Sequence, residues 1–140
     1  MLKMKKKKIT ALCCALALVG TCSFPAFASR HEYNFNFFGK NASSDHDETY
    51  WHKDDMEQTA YVTVDSSSNW EQGRDRVYLW IKSSNGNDLT STNTYVTRYV
   101  DSKKLPYTIY TKADTNCRLD GWHNNNGYEK SFSVGGRYTP

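Results

Sequence analysis

Between Val77 and Lys82 the chain alternates strictly, with Val77, Leu79 and Ile81 on one side and Tyr78, Trp80 and Lys82 on the other. A period of two marks an extended strand with one apolar face and one amphipathic face, and it is incompatible with a helix over the same residues. Asn85 and Gly86 follow inside a polar run, and this dipeptide readily takes the positive φ that a tight antiparallel turn needs. A second extended stretch comes at 94–100. The region predicts a central β-hairpin, 75–82 against 94–100, with 89–93 as extra loop or strand. The remaining chain must supply strands that cover its apolar side.

Such strands are readable. Residues 33–38 place Tyr33, Phe35 and Phe37 on one face, and 59–65 place Ala60, Val62 and Val64 together. Residues 107–112 put Tyr107 and Ile109 on a common face, 116–120 form a short segment, and 128–134 form a last one before Gly135-Gly136. Turn residues recur roughly every 8 to 14 positions and no apolar period of helix length appears. The expected fold is all-β, an antiparallel β-sandwich of about seven short strands, with a partly closed barrel as the other closure of the same segments. Two stretches fit poorly. Residues 41–57 are polar and acidic, suiting a long loop or a helical turn near 54–58, and 101–104 read as a charged connection.

The N-terminus is expected not to belong to this fold. Lys3 and Lys5 to Lys8 precede an apolar run from Ile9 to Val19, and Ala26 and Ala28 stand at the two small-residue positions a signal peptidase recognises. About eleven apolar residues fall short of the roughly 20 that span a bilayer, so the expectation is a cleavable signal peptide, 1–28, and no stable membrane anchor afterwards. Lipidation at Cys22 is the alternative, but Val19-Gly20-Thr21 lacks the residues that usually precede a lipidated cysteine. The expected destination is extracellular. Five of the 18 basic residues and none of the 15 acidic ones lie in the signal, which leaves 29–140 at a formal charge of −2. That balance gives no support to nucleic-acid binding or to a cationic membrane-active helix. Three of the four cysteines also lie there, so Cys117 has no partner for an intramolecular disulfide.

Candidate chemistry is sparse. His46, Asp47 and His52 lie in the acidic stretch 45–55 and offer imidazole and carboxylate ligands of the kind zinc takes, but at no specific motif spacing. An exposed acidic loop is the plainer reading. Cys117 alternates with Arg118, so the two point to opposite faces, and a shared face with Leu119 suits a buried filler better than a nucleophile served by His52 or His123. Eighteen of the twenty aromatic residues lie beyond the signal. Tyr61, Tyr78, Trp80 and Tyr110 are expected to share a face opposite Val62, Leu79 and Ile109, an array suited to sugar rings or a wall polymer, although aromatic burial competes with that role. Nucleophile elbows, phosphate-cradling glycine loops and dinucleotide fingerprints do not occur, and no cofactor is expected.

Trp70, Leu79-Trp80, the 95–100 strand, Leu119-Asp-Gly-Trp-His-Asn-Asn-Asn126 and Val134-Gly-Gly-Arg-Tyr-Thr-Pro140 follow in an order that resembles an uncharacterised family of small exported proteins of Gram-positive bacteria. The resemblance covers roughly residues 70–140, departs at Gly135-Gly136-Arg137 and brings no catalytic residues with it. A looser similarity, of protein class rather than motif, is to secreted β-sandwich bacteriocins. The expectation is a secreted, non-enzymatic protein that binds a cell-envelope polymer or surface protein. A small enzyme built on Cys117 or the His46/His52 loop, and a self-assembling surface protein pairing through an edge strand such as 33–38, are the alternatives.

Overall fold

The computed structural model of the chain describes residues 29–38, 43–123 and 130–140. The expected cleavage positions Ala26 and Ala28 lie outside them. The described residues form nine strands and no helix: β1 (His31–Phe37), β2 (Ser43–His46), β3 (Trp51–His52), β4 (Thr59–Ser68), β5 (Val77–Ser83), β6 (Tyr95–Val96), β7 (Val100–Pro106), β8 (Asn116–His123) and β9 (Phe132–Thr139). All pairings are antiparallel. One sheet has the order β1-β9-β4-β7, and the other β2-β8-β5-β6 with β3 also on β8.

The alternating residues of the strands set the inner faces. Tyr33, Phe35 and Phe37 of β1, Ala60, Val62 and Val64 of β4, and Phe132, Val134 and Tyr138 of β9 meet Val77, Leu79 and Ile81 of β5 and Cys117 and Leu119 of β8 in one buried cluster. The sheets touch closely at Gly121, where an added Cβ would lie 2.6 Å from the Phe35 ring. Two carboxylates stitch the margins. Asp45 accepts the Asn36 N–H of β1 at 2.7 Å, and Asp47 accepts the Tyr138 hydroxyl of β9 at 2.7 Å.

Several expectations are corrected. The hairpin at β5 exists, but its return strand is only Tyr95–Val96, paired with Tyr78 and Val77. The turn at Gly86 (φ 85) returns the chain toward Leu89, whose N–H donates to the Ile81 carbonyl at 2.8 Å. The charged connection 101–104 lies inside β7, an edge strand whose polar side chains face solvent, where lysines are favoured. Residues 107–112 do not form a strand. The Gln58 side chain bonds both the N–H and the carbonyl of Thr111, at 2.9 Å each, which occupies groups a neighbouring strand would need, and Ile109 is exposed. The acidic stretch contains β2 and β3 instead of a helical turn, because both add to β8. Gly135 and Gly136 lie inside the last strand, not after it.

Candidate binding site

The outer face of the second sheet carries a row of half-buried and exposed aromatic side chains. Tyr78 of β5 lies directly across from Trp122 of β8 on one side and Tyr95 of β6 on the other. Their ring centroids are 5.1 and 5.6 Å apart, with the planes tilted by 49° and 55°. Trp80 follows Tyr78 on the same face by strand alternation. With Thr92 and Asn93 from the connection after the turn, Tyr78, Trp80 and Trp122 line an open cleft of about 380 Å³.

Charge on this face is largely neutralised within it. Arg118 Nε donates to Asp120 Oδ1 at 2.7 Å, and Lys82 Nζ lies 3.8 Å from the other Asp120 oxygen and 3.5 Å from Asp88. Burial raises the Asp120 pKa, against the lowering influence of Arg118 and Lys82. Arg76 lays its guanidinium 4.7 Å from the centre of the Tyr95 ring. The aromatic row therefore ends in a cation on one side and in compensated pairs on the other.

The structure brings only two members of the expected aromatic array together. Tyr78 and Trp80 share the cleft, whereas Tyr61 is on β4 in the other sheet and Tyr110 stands 67% exposed in the segment that failed to form a strand. Alternation assigns faces within a strand and says nothing about which sheet the strand joins. Trp122, Tyr95, Thr92 and Asn93 were not among the expected site residues. The Trp122 signal was present, because alternation from Cys117 and Leu119 leaves Arg118, Asp120 and Trp122 on the opposite face.

Tyr61 lines a smaller groove of about 240 Å³ on the outside of the first sheet, with Arg30, Glu57, Thr63 and Arg137. Several of its polar groups are already engaged: the Tyr61 hydroxyl donates to Glu57, Thr63 Oγ1 donates to Asp101 at 3.1 Å, and Arg137 pairs with Asp65 at 3.4 Å. The hydrogen bond to Glu57 raises the Tyr61 pKa. A ligand there would have to displace existing contacts, which makes the aromatic cleft the better site.

The histidine loop does not assemble as a metal centre. Among the described residues no group of three His, Cys, Asp or Glu side chains converges. Asp47 is occupied as a structural acceptor: Oδ2 receives Trp51 Nε1 at 3.1 Å and the Tyr138 hydroxyl at 2.7 Å, and Oδ1 receives the Thr49 N–H at 3.0 Å. His46 is exposed at the end of β2, and His52 Nδ1 lies 3.5 Å from the Asp114 carbonyl oxygen. Trp51 stacks on His31 at 4.2 Å, so this end of the loop is held by packing and one carboxylate.

Cys117 is buried, its Sγ 3.3 Å from the Thr115 carbonyl oxygen. Burial pushes the thiol up to about 11, with Lys53 opposing. Such a thiol is protonated and enclosed at neutral pH, a poor nucleophile. Lys53 is itself fully buried, donating to the Asp55 carbonyl and carboxylate at 2.7 and 2.6 Å. That pair satisfies a charge inside the fold.

Compared with models of protein families, with curated proteins and with solved structures, the chain finds no match in any of the three.

Proposed function

We propose that this is a secreted, non-enzymatic β-sandwich that acts by binding a component of a bacterial cell envelope, in the manner of a competition protein, through the outer face of β5 and β8. The observation that carries the reading is the cleft of Tyr78, Trp80 and Trp122. It places three large, half-buried aromatic rings along an open cleft, beside polar groups that can orient a ligand. The N-terminal sequence supports export, and the burial of Cys117 favours binding over thiol chemistry. The likeness to small exported Gram-positive proteins belongs to the same reading.

The test is retention on isolated bacterial cell walls, comparing the purified protein with Trp122→Ala and Tyr78→Ala. The expected result is that both substitutions reduce the retained fraction severalfold while leaving the β circular-dichroism spectrum unchanged. Equal retention of all three folded proteins would remove this face from the function.

A further inference from the structure

Resting on that reading, the geometry points to a single, free chain of neutral sugar as the ligand of the cleft, and we infer that the site rejects both charged wall polymers and the flat face of an insoluble polysaccharide. Three observations lead there.

The first is shape. An ordered polysaccharide surface presents parallel sugar rings in one plane, and only coplanar aromatic rings can lie against several at once. Tyr78 is tilted by 49° to Trp122 and by 55° to Tyr95. A rigid plane laid face-on against Tyr78 cannot also lie face-on against Trp122 or Tyr95. A free chain can rotate about its glycosidic bonds and offer successive rings to successive side chains. The centroid separations of 5.1 and 5.6 Å are close to the roughly 5 Å length of one pyranose unit.

The second is polarity. A pyranose has apolar C–H faces and a girdle of hydroxyls, so its site needs π-faces beside uncharged donors and acceptors. Tyr78, Trp80 and Trp122 supply the faces, with Thr92 and Asn93 alongside.

The third is charge. None of the five residues lining the cleft is an acidic or basic residue. Of the charged groups beside it, Lys82, Arg118, Asp88 and Asp120 are mutually paired, and Arg76 is laid over Tyr95. A polyanion would find one cation where a phosphate-rich chain needs several.

The experiment titrates the purified protein with three soluble probes, following tryptophan fluorescence: a β-1,4-linked N-acetylglucosamine hexamer, a β-1,4-linked glucose hexamer and a poly(glycerol phosphate) chain. Pull-down on crystalline cellulose and chitin is run in parallel. Expected are saturable binding of at least one neutral hexamer, little dependence on salt, and affinity about tenfold weaker in Trp122→Ala. Asn93→Ala, a milder change at the rim, should weaken binding without altering the fold. The inference is overturned by binding of the polyanion alone, by binding of the crystalline solids alone, or by failure of both hexamers. Where Trp122-dependent wall retention survives such a result, the site stands and its ligand is of another class. Loss of Trp122-dependent retention would sink the site itself.

Discussion

Gly136 shows how much a single missing methyl group can hold in place. It lies in the middle of β9, between Tyr33 of β1 and the bulge where β4 slips register between Val64 and Ser66. An added Cβ would run into the backbone carbonyl of Thr63, which no side-chain rotation can relieve. Gly136→Ala is therefore expected to lower stability by on the order of 3 kcal/mol or more, read as a fall in the urea midpoint, and a midpoint within error of the parent would contradict the close approach. In the sequence Gly135-Gly136 reads as the end of a strand, because a glycine pair signals a turn unless the opposing backbone is known. Cys117, by contrast, was legible as a buried filler from the alternation with Arg118 alone. The metal reading of Asp47 fails for a physical reason of the same local kind: the donors it accepts from, Trp51 and Tyr138, are 4 and 91 residues away, and the second contact is invisible along the chain.

At the scale of elements, β1, β4, β5 and the core of β8 were readable from the period of their apolar residues, since each buries one face. The elements that were misread are those whose conformation depends on a neighbour. β7 is polar at four successive positions and is a strand because β4 offers it a free edge. Residues 107–112 alternate correctly yet stay irregular because Gln58 claims Thr111. β1 is itself an edge strand, the one proposed for self-assembly, but its Asn36 amide is capped by Asp45, and the Phe38 amide just beyond its end by Ser43 at 3.0 Å. Such caps discourage addition of another strand. The turn after β5 allows a cleaner test of local against tertiary control. Gly86 has φ 85 and nothing within 4 Å of an added Cβ, so the only penalty of Gly86→Ala is the left-handed backbone. The expected loss is about 1 kcal/mol with the strand content unchanged. A loss as large as that of Gly136→Ala would mean that the turn carries packing which the open space around it denies.

Across the whole molecule, one end of the core holds a buried ionisable pair of the second sheet that the sequence does not advertise, because its members are 48 residues apart. His123, on the inner face of β8, packs its ring 4.7 Å from Phe132 and 6.0 Å from Phe37, both of the opposite sheet. Asp75, just before β5, is buried beside it, and neither carboxylate oxygen meets a donor in good hydrogen-bonding geometry. Burial lowers the His123 pKa below 6.5, with Asp75 opposing. Burial likewise raises the Asp75 pKa above 3.8, with His123 and Arg74 opposing and Glu71 adding a like charge. The signs fix the pH response. Below pH 6.5 the unfolded imidazole takes a proton that the folded one refuses, so stability falls as the solution is acidified from neutral toward the folded value. Asp75 works in the opposite sense: its ionised form destabilises the fold above the unfolded value of 3.8, and protonation relieves this at lower pH. The His123 contribution should accordingly lower the urea midpoint between about pH 7 and pH 5, and His123→Gln should remove that contribution. Asp75→Asn should raise the midpoint at neutral pH by removing a buried carboxylate, and should deepen the acid loss because His123 no longer has an anion beside it. An Asp75→Asn variant whose midpoint stays level across this range, or one less stable than the parent at neutral pH, would show that the pair is solvated and that the core is not closed over it.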